Sequence, residues 1–255
     1  MRQLLKAFGR PRRGTNSAEH LVNTIRPDTP FTAIGDIHGR ADLLDDLLAR
    51  LNAPSDQPLI FVGDYVDRGP ESAAVLARLF EMQQAGGDQV VCLMGNHEKM
   101  LCEFVDDPLG KGARWLVNGG LDTLQSFGVS GLSRRPDPDD AMRACEALEQ
   151  AMPDGMLSWL RNLPLSWQSG NVWCVHAAMD VEKDPEAQRS RTLLWGHESF
   201  LEHSRNDDIC VVHGHTIVDA PFNGNSRISI DTGAYFTGNL TAAQISDGQC
   251  VFVTT

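Results

Sequence analysis

An α/β domain built on a parallel sheet, followed by a second and largely antiparallel sheet, is the fold class this sequence predicts. Three observations carry the prediction. Residues 31–96 alternate short apolar runs with helical patterns, and the chain beyond Pro164 turns to strand patterns. Its 255 residues, 42% hydrophobic and 22% charged, suffice for one sizeable core.

The segment FTAIGD, residues 31–36, reads as a short buried strand, and ADLLDDLLARL, residues 41–51, sets leucines at helical spacing behind it. PLIFVGD, residues 58–64, is a second strand. PESAAVLARLFEMQQ opens on Pro70, favoured in a first helical turn, and runs to Gln84 before Gly86 and Gly87 interrupt it. QVVCLMGN, residues 89–96, is the third strand. This β-α-β-α-β order implies parallel strands joined by right-handed crossovers. Residues 98–163 read as a mostly helical insertion broken by the loop GVSGLSRRPDPDD; Trp115 and the insertion are candidates to shape the entrance of a site, with the core the favoured place for Trp115, Met142 and Leu148. After Pro164, LSWQSG and NVWCVHA pattern as a hairpin around Ser169 and Gly170. DICVVHG, RISID, LTAAQIS and QCVFVT supply the other strands of the second sheet.

Charge narrows the functional classes. The net charge is -12, yet residues 1–26 hold six Arg or Lys against one acid, which leaves -17 on the remainder. Residues 1–26 therefore read as a basic tail, and residues 27–255 as a single domain. A body this acidic repels phosphate backbones, so nucleic acid is excluded as a partner and an anionic substrate needs a local positive site. The six cysteines form no C-x-x-C pair and read as buried free thiols. No run of about 18 apolar residues suggests stable membrane insertion, and a cytoplasmic location is the expectation.

Each N-terminal strand ends on a potential metal ligand: GDIHG at 35–39, GDYVDRG at 63–69 and GNHE at 95–98. The intervals of 28 residues from Asp36 to Asp64 and 32 from Asp64 to Asn96 each match one β-α-β unit. Parallel pairing then gathers the three side chains at the carboxyl edge of the sheet, where open α/β sheets bind ligands. If the extended path continues past Asp36, His38 points the same way. Carboxylates crowded in a dry crevice call for a cation, and Asp, Asn and His without Cys suit Mn, Fe, Zn, Co or Mg. VHAA adds His176, and VVHGHT adds His215 with His213 beside it.

In order, GDIHG, GDYVDRG, GNHE, VHA, GHT and IDTGA resemble the metal-dependent phosphoprotein phosphatases, especially bacterial and phage serine/threonine members of the calcineurin-like metallophosphoesterases. The resemblance spans residues 31–240. It implies a four-layer α/β/β/α sandwich of two mixed sheets flanked by helices. Two divalent ions are implied, manganese first: one on Asp36, His38 and Asp64, the other on Asp64, Asn96, His176 and His215. It also implies a metal-bridging hydroxide attacking phosphoserine or phosphothreonine, and also phosphotyrosine, in phosphorylated protein substrates. His97 would be the general acid oriented by Asp67, and Arg68 and Asn96 would bind the phosphate.

Two other readings stay open. The sister group that hydrolyses symmetrical dinucleoside polyphosphates shares the fold, but tends to lack an aspartate at the position of Asp67 and to read GNHD, so Asp67 and Glu98 favour the protein phosphatase. The other is a weakened phosphoprotein-binding module. It is motivated by WGHE, where relatives carry a second phosphate-binding arginine and this chain has His197. A protonated His197, or Arg189 or Arg191 reaching in, are the candidate substitutes, with a surface histidine as the alternative. Glu98 reads as a helix N-terminal residue, and Asp231 and Tyr235 as candidates to buttress the site.

Overall fold

The computed structural model describes residues 25–51 and 56–255. The expected basic tail lies outside the described residues except for Ile25 and Arg26. Two five-stranded sheets form the centre. In the first, β1 (Phe31–Ile34), β2 (Leu59–Phe61) and β3 (Val90–Cys92) are parallel, as the alternation predicts. Helices α1 (Ala41–Arg50) and α2 (Ser72–Gly86) make the crossovers. α3 (Asn96–Asp106), α4 (Ala113–Trp115), α5 (Leu121–Ser126), α6 (Pro138–Ala151) and α7 (Met156–Arg161) follow β3. They cover the outer face of that sheet, burying Leu101, Phe104, Leu148 and Leu160 against it. Trp115 and Leu148 are fully buried, but Met142 is 43% exposed and is no part of the core.

The second sheet has the order β4-β5-β6-β8-β7, from β4 (Ser166–Ser169), β5 (Val172–Val175), β6 (Cys210–His213), β7 (Phe222–Gly224) and β8 (Arg227–Ser229). The expected β4-β5 hairpin is present. The expectation of a largely antiparallel sheet fails, because β5, β6 and β8 run parallel. Helices α8 (Ser190–Trp195) and α9 (Glu198–Glu202) lie between β5 and β6 in the chain and supply that crossover. A second correction concerns the C-terminus. After α10 (Ala234–Thr237), the strands β9 (Thr241–Ser246) and β10 (Gln249–Thr254) return to the first sheet, with β9 antiparallel to β1. The free edge of β1 offered unpaired backbone groups, and β9, nearly buried throughout, satisfies them.

Strand alternation sets the layers. Phe31 and Ala33 of β1 meet Val172 and Cys174 of β5 between the sheets, whereas Trp173 and Val175 face outward onto Leu193 of α8 and Phe200 of α9. The result is the expected sandwich of two mixed sheets flanked by helices. Five cysteines are buried and all six are free thiols.

Candidate metal centre

The carboxyl ends of β1, β2 and β3 in one sheet and of β5, β6 and β8 in the other point to the same crevice. Asp36, Asp64, Asn96 and His176 follow four of these strands and are at most 4% exposed; His215, two residues beyond β6, is half-buried. The backbone there is unusual. Seven non-glycine residues among those described have positive φ, and five of them are His38, Asp64, Asp67, Arg68 and His215. L-residues pay for that conformation, and such strain concentrates at functional sites. For His38 it is a correction: with φ of 46° the chain turns after Asp36 rather than continuing extended. Gly63, at φ 103°, could not be another residue, since a Cβ would lie 2.7 Å from the Gly95 backbone and 2.9 Å from the His176 ring.

Asp64 is the hub. Its Oδ2 lies 3.5 Å from His38 Nε2, and its Oδ1 lies 3.3 Å from His176 Nε2. Both imidazoles donate their other nitrogen to a backbone carbonyl, His38 Nδ1 to Val66 at 2.7 Å and His176 Nδ1 to Val62 at 3.0 Å. Those bonds set the tautomer, so each Nε2 carries a lone pair aimed at a carboxylate oxygen. Asn96 Oδ1, 2.8 Å from His176 Nε2, adds a third acceptor. Acceptors converging in this way suit a cation, and Asp64 offers one oxygen to each of two positions. The groups His38-Asp64-His97 and Asp64-His176-His215 each bring their ligand atoms within 4.8 Å of one another. Burial holds His38 and His176 neutral, down to about 3 and about 4. Burial pushes the Asp64 carboxyl up, but His176, His97, His38 and His215 outweigh it and hold Asp64 below its ordinary range. Asp36 stands outside both groups. Its carboxylate takes the His215 backbone N–H at 3.1 Å, and burial beside Asp231 and Asp64 raises its pKa well above normal.

His213 and His215 separate cleanly. The two ring nitrogens of His213 are occupied by Gly214 O at 2.9 Å and Ser229 Oγ at 2.8 Å, so it has no free lone pair for an ion. The His215 ring instead packs edge-on against His176 at 5.0 Å.

His97 lies between two acids. Nδ1 is 2.5 Å from Asp67 Oδ2 and Nε2 is 3.9 Å from Asp64 Oδ2. Burial lowers its pKa, but Asp64 and Asp67 outweigh burial and raise it from its ordinary value, which favours the protonated ring. Arg68 is exposed at the mouth, with Nη2 3.3 Å from His97 Nε2 and its guanidinium 4.9 Å from the Tyr235 ring.

A profile described as "Calcineurin-like phosphoesterase" matches residues 29–239. The chain belongs to that family. The symmetrical bis(5'-nucleosyl)-tetraphosphatase of Paraburkholderia phymatum is 31% identical over 58% of this chain and 41% of its own, so the chain spans about two-fifths of that relative. An asymmetrical bis(5'-nucleosyl)-tetraphosphatase, PrpE of Anoxybacillus flavithermus, is 26% identical over 88% of this chain and 93% of its own. A crystal structure provisionally assigned as a diadenosine tetraphosphatase superposes with a TM-score of 0.61 at 19% identity, covering 89% and 94% of the two chains. The family is dinuclear and metal-dependent, and the donor set around Asp64 fits two divalent ions.

Within this phosphoesterase, several residues do more than their sequence signals suggested. Trp115, read as a core or entrance residue, is buried and its indole N–H donates to both Asp67 oxygens, at 3.0 and 2.9 Å. Thr123 Oγ donates to Asp67 Oδ1 at 2.6 Å. The one available signal was that a buried Trp needs an acceptor. Glu98 does sit in the first turn of α3, but its carboxylate also receives the N–H groups of Asp64, Tyr65, Val66 and Gly95 and so shapes the GDYVD turn. Asp231 is buried beside Asp36 and Asp64, and Tyr235 packs on His38 at 5.5 Å. His197 turns to Ser199 Oγ at 2.7 Å and Asp180 at 3.7 Å, while Arg189 and Arg191 are exposed. No helix among the described residues is long and apolar enough to cross a membrane.

Proposed function

We propose that this phosphoesterase hydrolyses the polyphosphate bridge of bis(5'-nucleosyl) tetraphosphates. The observation that carries the substrate class is the end-to-end match with the asymmetrical tetraphosphatase, 88% of one chain on 93% of the other. This supports the dinucleotide over the phosphoprotein; the sequence reading had carried the symmetrical dinucleoside polyphosphate hydrolase as its alternative.

Ions held among Asp36, His38, Asp64, Asn96, His176 and His215 would acidify water and offset phosphoryl charge. Manganese is the first to test, with iron, zinc, cobalt and magnesium beside it. The chain's own contribution starts with Arg68, which has no carboxylate partner among the described residues and can fork onto two phosphate oxygens. The Asn96 amide adds a further polar contact. A water oxygen forms the new bond to phosphorus and its proton passes to bulk solvent, while the P–O–P bridge breaks and its electron pair leaves on the departing nucleotide. Central cleavage gives two nucleoside diphosphates; off-centre cleavage gives a triphosphate and a monophosphate.

One observation favours a second reading, hydrolysis of phosphoserine or phosphothreonine in proteins. A departing polyphosphate carries its charge unaided, whereas a serine alkoxide needs a proton, and the Asp67-His97 pair is built to hold one. The discriminating experiment supplies each metal to stripped protein and compares diadenosine tetraphosphate with phosphopeptides. A higher kcat/KM on the dinucleotide, with nucleotide products resolved by anion exchange, is the expected result. A preference for the phosphopeptides transfers the site to the second reading.

A further inference from the structure

Beside the metal centre lies an aromatic ring that the hydrolytic chemistry does not use. Phe236, on α10, is 59% exposed, the most of any large hydrophobic side chain among the described residues. It is held in place from several sides. Its ring packs edge-on against Tyr235 at 5.0 Å and covers Gly233, where a Cβ would lie 2.8 Å from Phe236 Cζ. Its backbone N–H bonds to Gly233 O at 3.0 Å. The loop beneath is tied by Asp231 to Gly233 N–H at 2.9 Å and by Thr237 Oγ to Thr232 O at 2.8 Å.

The position is as informative as the exposure. Tyr235 stands between Phe236 and the site, 5.5 Å from the His38 ring and under the Arg68 guanidinium at 4.9 Å. A phosphoryl group gripped by Arg68 therefore has an open aromatic surface one ring beyond Tyr235, the ring on which that guanidinium packs. Exposed aromatic rings beside a cationic phosphate contact serve as base-stacking platforms, because every base has a π-face.

We infer that Phe236, supported by Tyr235, is the nucleobase platform of the substrate site and stacks one base of a bound nucleotide. This rests on the dinucleotide reading and extends it to the part of the substrate remote from the reacting bond.

Two measurements on the metal-loaded protein test it. The first is calorimetric binding of AMP against ribose 5-phosphate, which has the phosphate and sugar without the base. Wild type should bind AMP at least about fivefold tighter, the lower end of what base-aromatic stacking supplies. Phe236→Ala should erase that preference, and Phe236→Trp should restore it. The second is the ratio of KM for diadenosine tetraphosphate to KM for p-nitrophenyl phosphate, which should rise at least about fivefold in Phe236→Ala. Equal AMP and ribose 5-phosphate affinities in wild type, or an unchanged KM ratio in a variant that still cleaves the dinucleotide, overturn the platform while leaving the dinucleotide reading intact. A Phe236-dependent preference for AMP without dinucleotide cleavage would retain the platform and reject the substrate.

Discussion

Replacing Thr123 by valine removes one hydroxyl at nearly constant volume from the network behind His97. In the native arrangement Asp67 receives His97 Nδ1 at 2.5 Å, the Trp115 indole on both oxygens, and Thr123 Oγ at 2.6 Å. Asp67 is fully buried, and burial raises its pKa while these donors, His97 first among them, pull it down. Losing the Thr123 donor makes the carboxylate harder to ionise, so it holds the protonated His97 less firmly. A hydrogen bond to a charged group contributes about 1.5–3 kcal/mol. At about 1.36 kcal/mol per decade, that corresponds to roughly 10- to 100-fold in rate where proton donation limits the reaction. The assay is a leaving-group series from phenyl phosphate to p-nitrophenyl phosphate, with circular dichroism confirming the fold. Hydrolysis of phenyl phosphate should fall by the full factor and p-nitrophenyl phosphate by far less, with Thr123→Ser recovering most of the loss. Equal slowing along the series would show that the network serves only the fold and that His97 does not protonate the leaving group.

Other expectations follow from the same geometry. Asp64→Asn removes the carboxylate that offers one oxygen to each metal position, so elemental analysis under saturating Mn should fall from two ions per chain to one or fewer. Metal uptake should release a proton from the Asp36 carboxyl in the acid range. Burial and the neighbouring Asp231 and Asp64 raise its pKa well above the ordinary value, whereas burial lowers His38 and His176 to about 3 and about 4. A cation must displace that proton, so affinity should rise with pH. Titration calorimetry in two buffers of different ionisation heat, repeated across the acid range, measures the release, and an affinity independent of pH with no proton released would contradict the assignment. Gly119→Ala should destabilise the fold by about 1–3 kcal/mol in urea unfolding. Its φ is 113°, and the added Cβ would lie 2.9 Å from Asp67 Cβ and 3.0 Å from Arg68 N.

Much of this protein was legible because its information is local. Each of the three parallel strands carries its apolar run and its terminal ligand in one continuous segment, and the helical spacing between them fixes the crossover. The intervals that separate Asp36, Asp64 and Asn96 therefore foretold their meeting before any partner was known. His176 and His215 needed the family resemblance, because nothing in their own strands says that the second sheet faces the first.

What only the tertiary structure decided depends on partners distant in the chain. A strand's sequence states that it will pair but not with which edge, so β9 and β10 could be assigned to a sheet only once β1 was seen to have an edge open. The parallel pairing of β5 with β6 likewise followed from where α8 and α9 pack. Trp115 and Thr123 lie 48 and 56 residues from Asp67. Their hydrogen bonds to a buried carboxylate leave no periodicity in the sequence, because a single polar atom turned inward has almost the same local pattern as an ordinary core side chain. The sequence thus specified which chemistry the strand ends could hold. The packing of remote helices decided which side chains steady the Asp67-His97 pair, and which aromatic ring was left open against Tyr235.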